Sequence, residues 1–194
     1  MRFDEKGADY NPAELPSQNL TALEPRFDTA TYLTPYSDIV ALLVLEHQTQ
    51  AHNLIAKLNY ETRLALHHQQ VMNEALQQSN DQLSDSTRRR ITHAAEDLTR
   101  YLLFAGEATW QSPISGVSKF AKEFAATGPR DTQGRSLRDL DLRRKLFRYP
   151  CSYLIYSEAL DALPKPALDH LYKQLWLALT GQTKDKDLLA IAPE

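Results

Sequence analysis

The chain has 194 residues, with 42% hydrophobic and 24% charged side chains, which fits one ordinary globular domain and argues against disorder along its whole length. Its formal net charge of −3 offers no surplus of Lys and Arg for a phosphate backbone, so nucleic acid is not an expected partner. The single cysteine, Cys151, excludes an intrachain disulfide and any CxxC or CxxCH motif.

The opening residues, MRFDEKGADYNP, have no apolar core and do not read as a signal peptide. Residues 1–36 contain Pro12, Pro16, Pro25 and Pro35 without a sustained period, which predicts an extended arm or linker, docked if at all through Phe27, Tyr32 and Leu33. From Ser37 to Ser79 no Pro or Gly interrupts the chain. The stretch predicts one helix of about 40 residues, or two with a slight break, at 1.5 Å per residue roughly 60 Å long. Ser37 reads as its N-cap with Asp38 in the first turn. A stripe at helical spacing runs through Val40, Val44, His47, Ala51, Leu54, Leu58, Thr62, Ala65, Gln69, Met72 and Leu76. The run IVALLVL (39–45) is apolar on all sides and is expected to be enclosed, but it falls far short of the roughly 20 residues that cross a bilayer. Membrane insertion is not expected, and the chain, whole or part of a longer one, reads as soluble.

After a polar turn near SNDQLSDS a second helix is predicted over about 86–108, with Ile91, Ala94, Ala95, Leu98, Tyr101, Leu102 and Ala105 on one face. Arg88, Arg89 and Arg90 near its start oppose the helix dipole, so either the helix begins earlier or these cations meet acidic partners. Residues 111–136 read as a loop holding Pro113 and Gly116, a short helix around VSKFAKEFAAT and the turn GPRDTQGR. Ser136 with Asp139 resembles a capping box opening a helix to about Arg148. Pro150 ends or kinks it, and CSYLIYSEAL resumes as another short helix. In PKPALDHLYKQLWLALTG, Pro166 suits a first helical position, Leu168, Leu171, Tyr172, Leu175 and Leu179 form the buried face, and Gly181 stops the helix. No segment alternates as a strand should. The expected fold is all-α: an antiparallel helical bundle with one very long helix and an extended N-terminal arm. Its expected divisions are the arm (1–36), one helical domain (37–181) and a C-terminal tail (182–194).

The segment LEHQTQAHN (45–53) raises the question of a metal or haem site. Ligands on a helix converge at i, i+3 or i, i+4. His47 and His52 are five apart and point roughly 140° from each other, and Glu46 diverges from His47. Neither HExxH nor ExxH occurs in the stretch. His93 on the second helix is the facing candidate, though it lies off the apolar stripe. His47 therefore reads first as a buried polar group hydrogen-bonded across a helix seam, with a ligand role beside Glu46, His52 or His93, or an interface role, as alternatives.

The run RSLRDLDLRRKLFRYP offers Arg135, Arg138, Arg144 and Arg148 for an anion or a partner. The plainer reading is a charged helix with Asp139–Arg143 and Asp141–Lys145 as internal ion pairs. Cys151, in a first helical turn near Arg148, is a conceivable reactive thiol, and equally a small buried residue. Phe147, Tyr149, Tyr153 and Tyr156 are expected to pin a corner to the core rather than to stack bases.

Three segments, YLTPYSDIVALLVLEHQTQAHNL (32–54), GPRDTQGRSLRDLDLRRKLFRYPCSYLIYS (128–157) and ALPKPALDHLYKQLWLALTG (162–181), together resemble the C-terminal region of large exported bacterial proteins, some related to c-type cytochromes. The resemblance implies a periplasmic setting beside a redox module, against a cytoplasmic one otherwise, and supplies no activity. The chain departs from the cytochrome pattern in lacking CxxCH. The leading expectation is a non-catalytic helical interaction or accessory domain of a larger exported protein or complex, without a cofactor, whose partner is another protein or an adjacent domain. A haem- or metal-binding bundle using His47 is the alternative, and an enzyme working through Cys151 or the arginines ranks third.

Overall fold

The computed structural model describes residue 28, residues 30–31, residue 33 and residues 38–191. The extended arm and the docking of Phe27 and Tyr32 lie outside the described residues, and Leu33 is fully exposed. The described part is all-α, with helices α1 (Ile39–Leu76), α2 (Asp85–Leu102), α3 (Phe120–Ala126), α4 (Glu158–Asp161), α5 (Lys165–Leu179) and α6 (Lys186–Leu189).

The long helix forms as one piece, because nothing between Asp38 and Gln77 breaks it. Its cap is Asp38 rather than the expected Ser37: the Asp38 Oδ1 accepts from the amides of Val40 (2.9 Å) and Ala41 (3.2 Å). At the far end Gln77 turns left-handed at φ 53°, and the amide of Gln78 bonds to the Asn73 carbonyl at 2.8 Å. The predicted stripe is buried from Val40 to Gln69 except at Leu54, which is half-buried, its place on the buried face being taken by Ile55. It fails beyond that point: Met72 and Leu76 are exposed, because the next helix does not reach them. The first turns are not enclosed on all sides either, since Leu42 and Leu45 are exposed.

Residues 77–84 reverse the chain. Gln69 secures the reversal, donating to the Gln82 carbonyl (2.8 Å) and accepting from the Ser84 amide (2.9 Å). Ser84 caps α2 through the Thr87 amide. Helix α2 runs antiparallel to α1: Arg90 meets Glu61, Asp97 meets Lys57, and Tyr101 meets His47. Two of the arginines that oppose the dipole thus have acidic partners, Glu61 for Arg90 and Asp85 for Arg88. Helix α5 lies beside α2 in the same direction, with Lys165–Lys173 flanking Arg88–Thr92 and Gln174–Leu177 flanking Glu96–Arg100. It ends in a Schellman motif: Gly181, at φ 68°, donates to Ala178 and Gln182 donates to Leu177. Its buried residues are Ala167, Leu171, Leu175 and Ala178, whereas Tyr172 faces outward. Residues 182–191 hold helix α6, with Leu188 buried and Arg100 bonded to Asp185 and Asp187.

Two expectations for the middle of the chain are corrected. Helix α2 stops at Leu102 rather than near 108. Phe104 adopts φ 57°, with the Ala105 amide bonded to the Arg100 carbonyl, so a helix-terminating geometry that glycine usually supplies is occupied here by phenylalanine. The 136–148 helix does not form. The Ser136–Asp139 pair closes a turn, Asp139 accepting from the Ser136 amide at 3.0 Å, and the chain then makes a hairpin with Leu140 paired to Phe147 and Leu142 bonded to Lys145. Residues 110 and 114 add to it, the amides of Trp110 and Ile114 donating to Arg144 and Leu142. A helix would spread these leucines over two sides. The hairpin instead buries Leu146 and Phe147 and leaves Arg143 and Arg144 at the exposed tip.

Candidate functional site: a buried histidine beside an aromatic cleft

His47 sits on the core face of α1, 7% exposed. Its Nε2 is hydrogen-bonded to the Oγ of Ser152 at 2.8 Å. Ser152 is fully buried and tied on three sides: its amide donates to Leu102 (2.7 Å), its hydroxyl accepts from the Leu154 amide (3.2 Å), and it meets His47. The imidazole lies nearly parallel to Tyr101, 5.2 Å between centroids, with Phe147 edge-on at 5.0 Å and Phe104 at 5.4 Å. The Tyr101 hydroxyl donates to the His47 carbonyl at 3.3 Å. Burial drives the imidazole pKa down to about 4, so the ring is neutral at ordinary pH.

A serine on a histidine has the outline of a nucleophile and its base. The Ser152 hydroxyl is sealed in the core, however, and among the described residues no carboxylate is bonded to the imidazole to orient it. The pair is a polar tie across the core. The expected seam bond of His47 is present, with a partner that the sequence reading missed.

The other metal candidates are not brought to His47. Glu46, His52 and His93 are exposed, and among the described residues no three His, Cys, Asp or Glu side chains gather as a metal-holding group. The arginines are dispersed as well. Arg135 is paired with Asp131 at 2.6 Å. Arg138 stacks its guanidinium over Phe124 (5.0 Å) and Tyr153 (4.7 Å) and donates to Thr127. Arg144 is exposed at the hairpin tip, and Arg148 lies exposed against Tyr149. The predicted pairs Asp139–Arg143 and Asp141–Lys145 are absent among the described residues, because no helix sets that spacing. Asp139 instead meets Arg130 at 3.3 Å.

Cys151 is a free, buried cysteine. It precedes the short 3₁₀ turn Tyr153–Tyr156 rather than entering a helix, and burial pushes its pKa up to about 12. Of the aromatic cluster, Phe147 and Tyr153 are buried pins, and Tyr156 is exposed.

Outward from His47 opens a cleft of about 540 Å³ between α1, the end of α2 and the loop after it. Its walls include Tyr101, Phe104 and Trp110, with Leu43, Leu146 and Phe147 deeper and Glu46, Gln50, Arg100 and Glu107 among the polar lining. Burial raises the Tyr101 hydroxyl to about 12, helped by the negative charge of Glu46 and Glu107. The Glu107 carboxyl is likewise raised by burial, against the pull of Lys145.

No protein-family model matches the chain, and no curated protein and no solved structure matches it.

Proposed function

We propose that this chain is a non-catalytic helical interaction domain that docks onto another protein or an adjacent domain, as an accessory part of a larger exported bacterial assembly. One observation carries the reading. Helix α5 turns Tyr172 and Trp176, one helical turn apart, out of the core at 47% and 66% exposure, and Trp and Tyr are the side chains that most often anchor protein interfaces. The helix has ample apolar anchorage without them, through Ala167, Leu171, Leu175 and Ala178. The serine, histidine and cysteine that could have carried catalysis are committed to the core. The haem or metal alternative gains no support from the geometry, because the Nε2 of His47 is held by Ser152.

The test replaces Tyr172 and Trp176 together by serine in the complete protein and compares what co-purifies from its native source. The expected result is an unchanged fold, judged by circular dichroism, and loss of a stoichiometric protein partner that the unaltered chain retains. A chain that holds the same partners with or without the two aromatics overturns this surface. A stoichiometric metal or a visible haem band lost in His47→Ala overturns the reading as a whole.

A further inference from the structure

The cleft beside His47 has a chemical character that the docking face does not explain. Three aromatic side chains, Tyr101, Phe104 and Trp110, line one opening of about 540 Å³, within the size range of small-molecule sites. Two carboxylates, Glu46 and Glu107, line the same opening. Among the described residues neither makes an ion pair within 4.0 Å. Of the cations nearby, Arg100 is already neutralised by Asp185 and Asp187, and Lys145 reaches Glu107 only as a distant charge. His47 adds none. The cleft is therefore apolar, aromatic and net negative.

The left-handed backbone of Phe104, φ 57°, is the one that ends helix α2. The conformation sets the phenyl ring in the cleft wall, stacked on Phe147 at 5.4 Å and 20°.

We propose that this cleft binds an organic cation, an alkylammonium or guanidinium group seated on Tyr101, Phe104 and Trp110 with Glu46 and Glu107 as counter-charges. The aromatic faces attract a cation through their quadrupoles, and a weakly hydrated organic cation loses little on leaving water. The same chemistry is carried by a free small cation and by a Lys or Arg side chain of a docked protein. The cleft shares no residue with the Tyr172–Trp176 row, so either reading can fail without the other.

The chain contains two tryptophans, Trp110 and Trp176. Trp176→Phe therefore leaves Trp110 as the sole reporter, and Trp176 lies outside the cleft. This protein is titrated with choline, with the neutral isostere 3,3-dimethylbutanol and with a Gly-Arg-Gly peptide, following Trp110 fluorescence and calorimetric heat. The expected result is saturable, salt-weakened binding of a cation, at least about tenfold tighter than the neutral isostere and lost to a similar degree in Glu46→Gln/Glu107→Gln. Tighter choline binding assigns the site to a free cation, and a tighter arginine peptide assigns it to a partner's side chain. Neither carboxylate holds an ion pair among the described residues, so unchanged circular dichroism and thermal midpoint in the double variant separate lost binding from lost fold. Equal binding of the neutral isostere, equal binding by the double variant, or no response to either cation overturns the proposal.

Discussion

His47 and Ser152 are joined by a 2.8 Å hydrogen bond that spans 105 residues of sequence, fastening the long helix α1 to the 3₁₀ turn after the hairpin. The bond replaces water for two groups that would otherwise be buried unsatisfied. The rings of Tyr101, Phe104 and Phe147 surround the imidazole.

The titration of His47 makes stability depend on pH in a defined window. Its folded pKa, about 4, lies below the ordinary imidazole value of 6.5, so on acidification the unfolded chain takes up the proton first. The contribution is fully present above about 6.5, is lost as pH falls toward about 4, and then levels off. The span corresponds to about 3 kcal/mol. Urea unfolding between pH 7 and 4 should show this decline in the natural chain and a much flatter profile in His47→Phe.

Ser152→Ala should destabilise more than loss of one hydroxyl at a surface. It leaves the imidazole without a partner and removes the hydroxyl that caps Tyr153–Tyr156. The expected cost is about 2–3 kcal/mol in denaturant unfolding. Because both changes act on one bond, the double variant with His47→Phe should cost less than the two singles added. Strict additivity would show that the bond contributes nothing.

Asp38 links the start of α1 to the 111–119 loop. Besides the Val40 and Ala41 amides it accepts from the amide of Ser118 at 3.0 Å and from the Ser118 hydroxyl. Burial raises its carboxyl pKa, but the bonds from Ser118, Ala41 and Val40 outweigh that and hold it below the usual carboxylate range. Its stabilising effect is thus present above the ordinary carboxyl pKa and is lost as pH falls through the depressed value. Asp38→Ala should cost about 1–2 kcal/mol. Gly116→Ala should also destabilise, since a Cβ there would lie 2.8 Å from the Asp38 oxygens. Thermal midpoints of the two variants check both effects, and an unshifted midpoint in Gly116→Ala would show that the loop yields freely.

Cys151 should resist a thiol reagent in the folded protein and react at once in denaturant. Its thiol is 8% exposed and held protonated by burial. Fast labelling of the native chain by a chromogenic disulfide at pH 8 would contradict this.

Where helical period and core agree, the sequence was readable. Val40 to Gln69 kept one stripe, and the Pro166 and Gly181 signals bounded α5 closely. His47 was legible as an inward histidine because it shares that stripe. The arginine-rich stretch was not legible. Its propensities suit a helix, whereas the amides of Trp110 and Ile114 meet carbonyls of Arg144 and Leu142 that are free to accept only in an open backbone. Such a partnership, more than 25 residues away, leaves no local trace. Phe104 was missed for a related reason, since nothing in its neighbours announces a left-handed phenylalanine. The outward turn of Tyr172 escaped because period alone does not say which flank of an apolar face another helix covers. Ser152 gave no sign of its role, which exists only once α1 arrives.

The antiparallel crossing of α1 and α2 brings together residues that a loop of eight already holds near, from Gln69–Ser84 outward to His47–Tyr101. The Ser152 tie must instead wait for a long excursion through the hairpin to return. Closing a short loop costs less entropy and happens sooner than closing a long one. The α1–α2 pair therefore belongs to the early part of assembly, and the aromatic node around His47 is the latch that completes it. Pulsed amide exchange during refolding should protect Ala94–Leu98 before the Ser152 amide, and the reverse order would place the node in the folding nucleus.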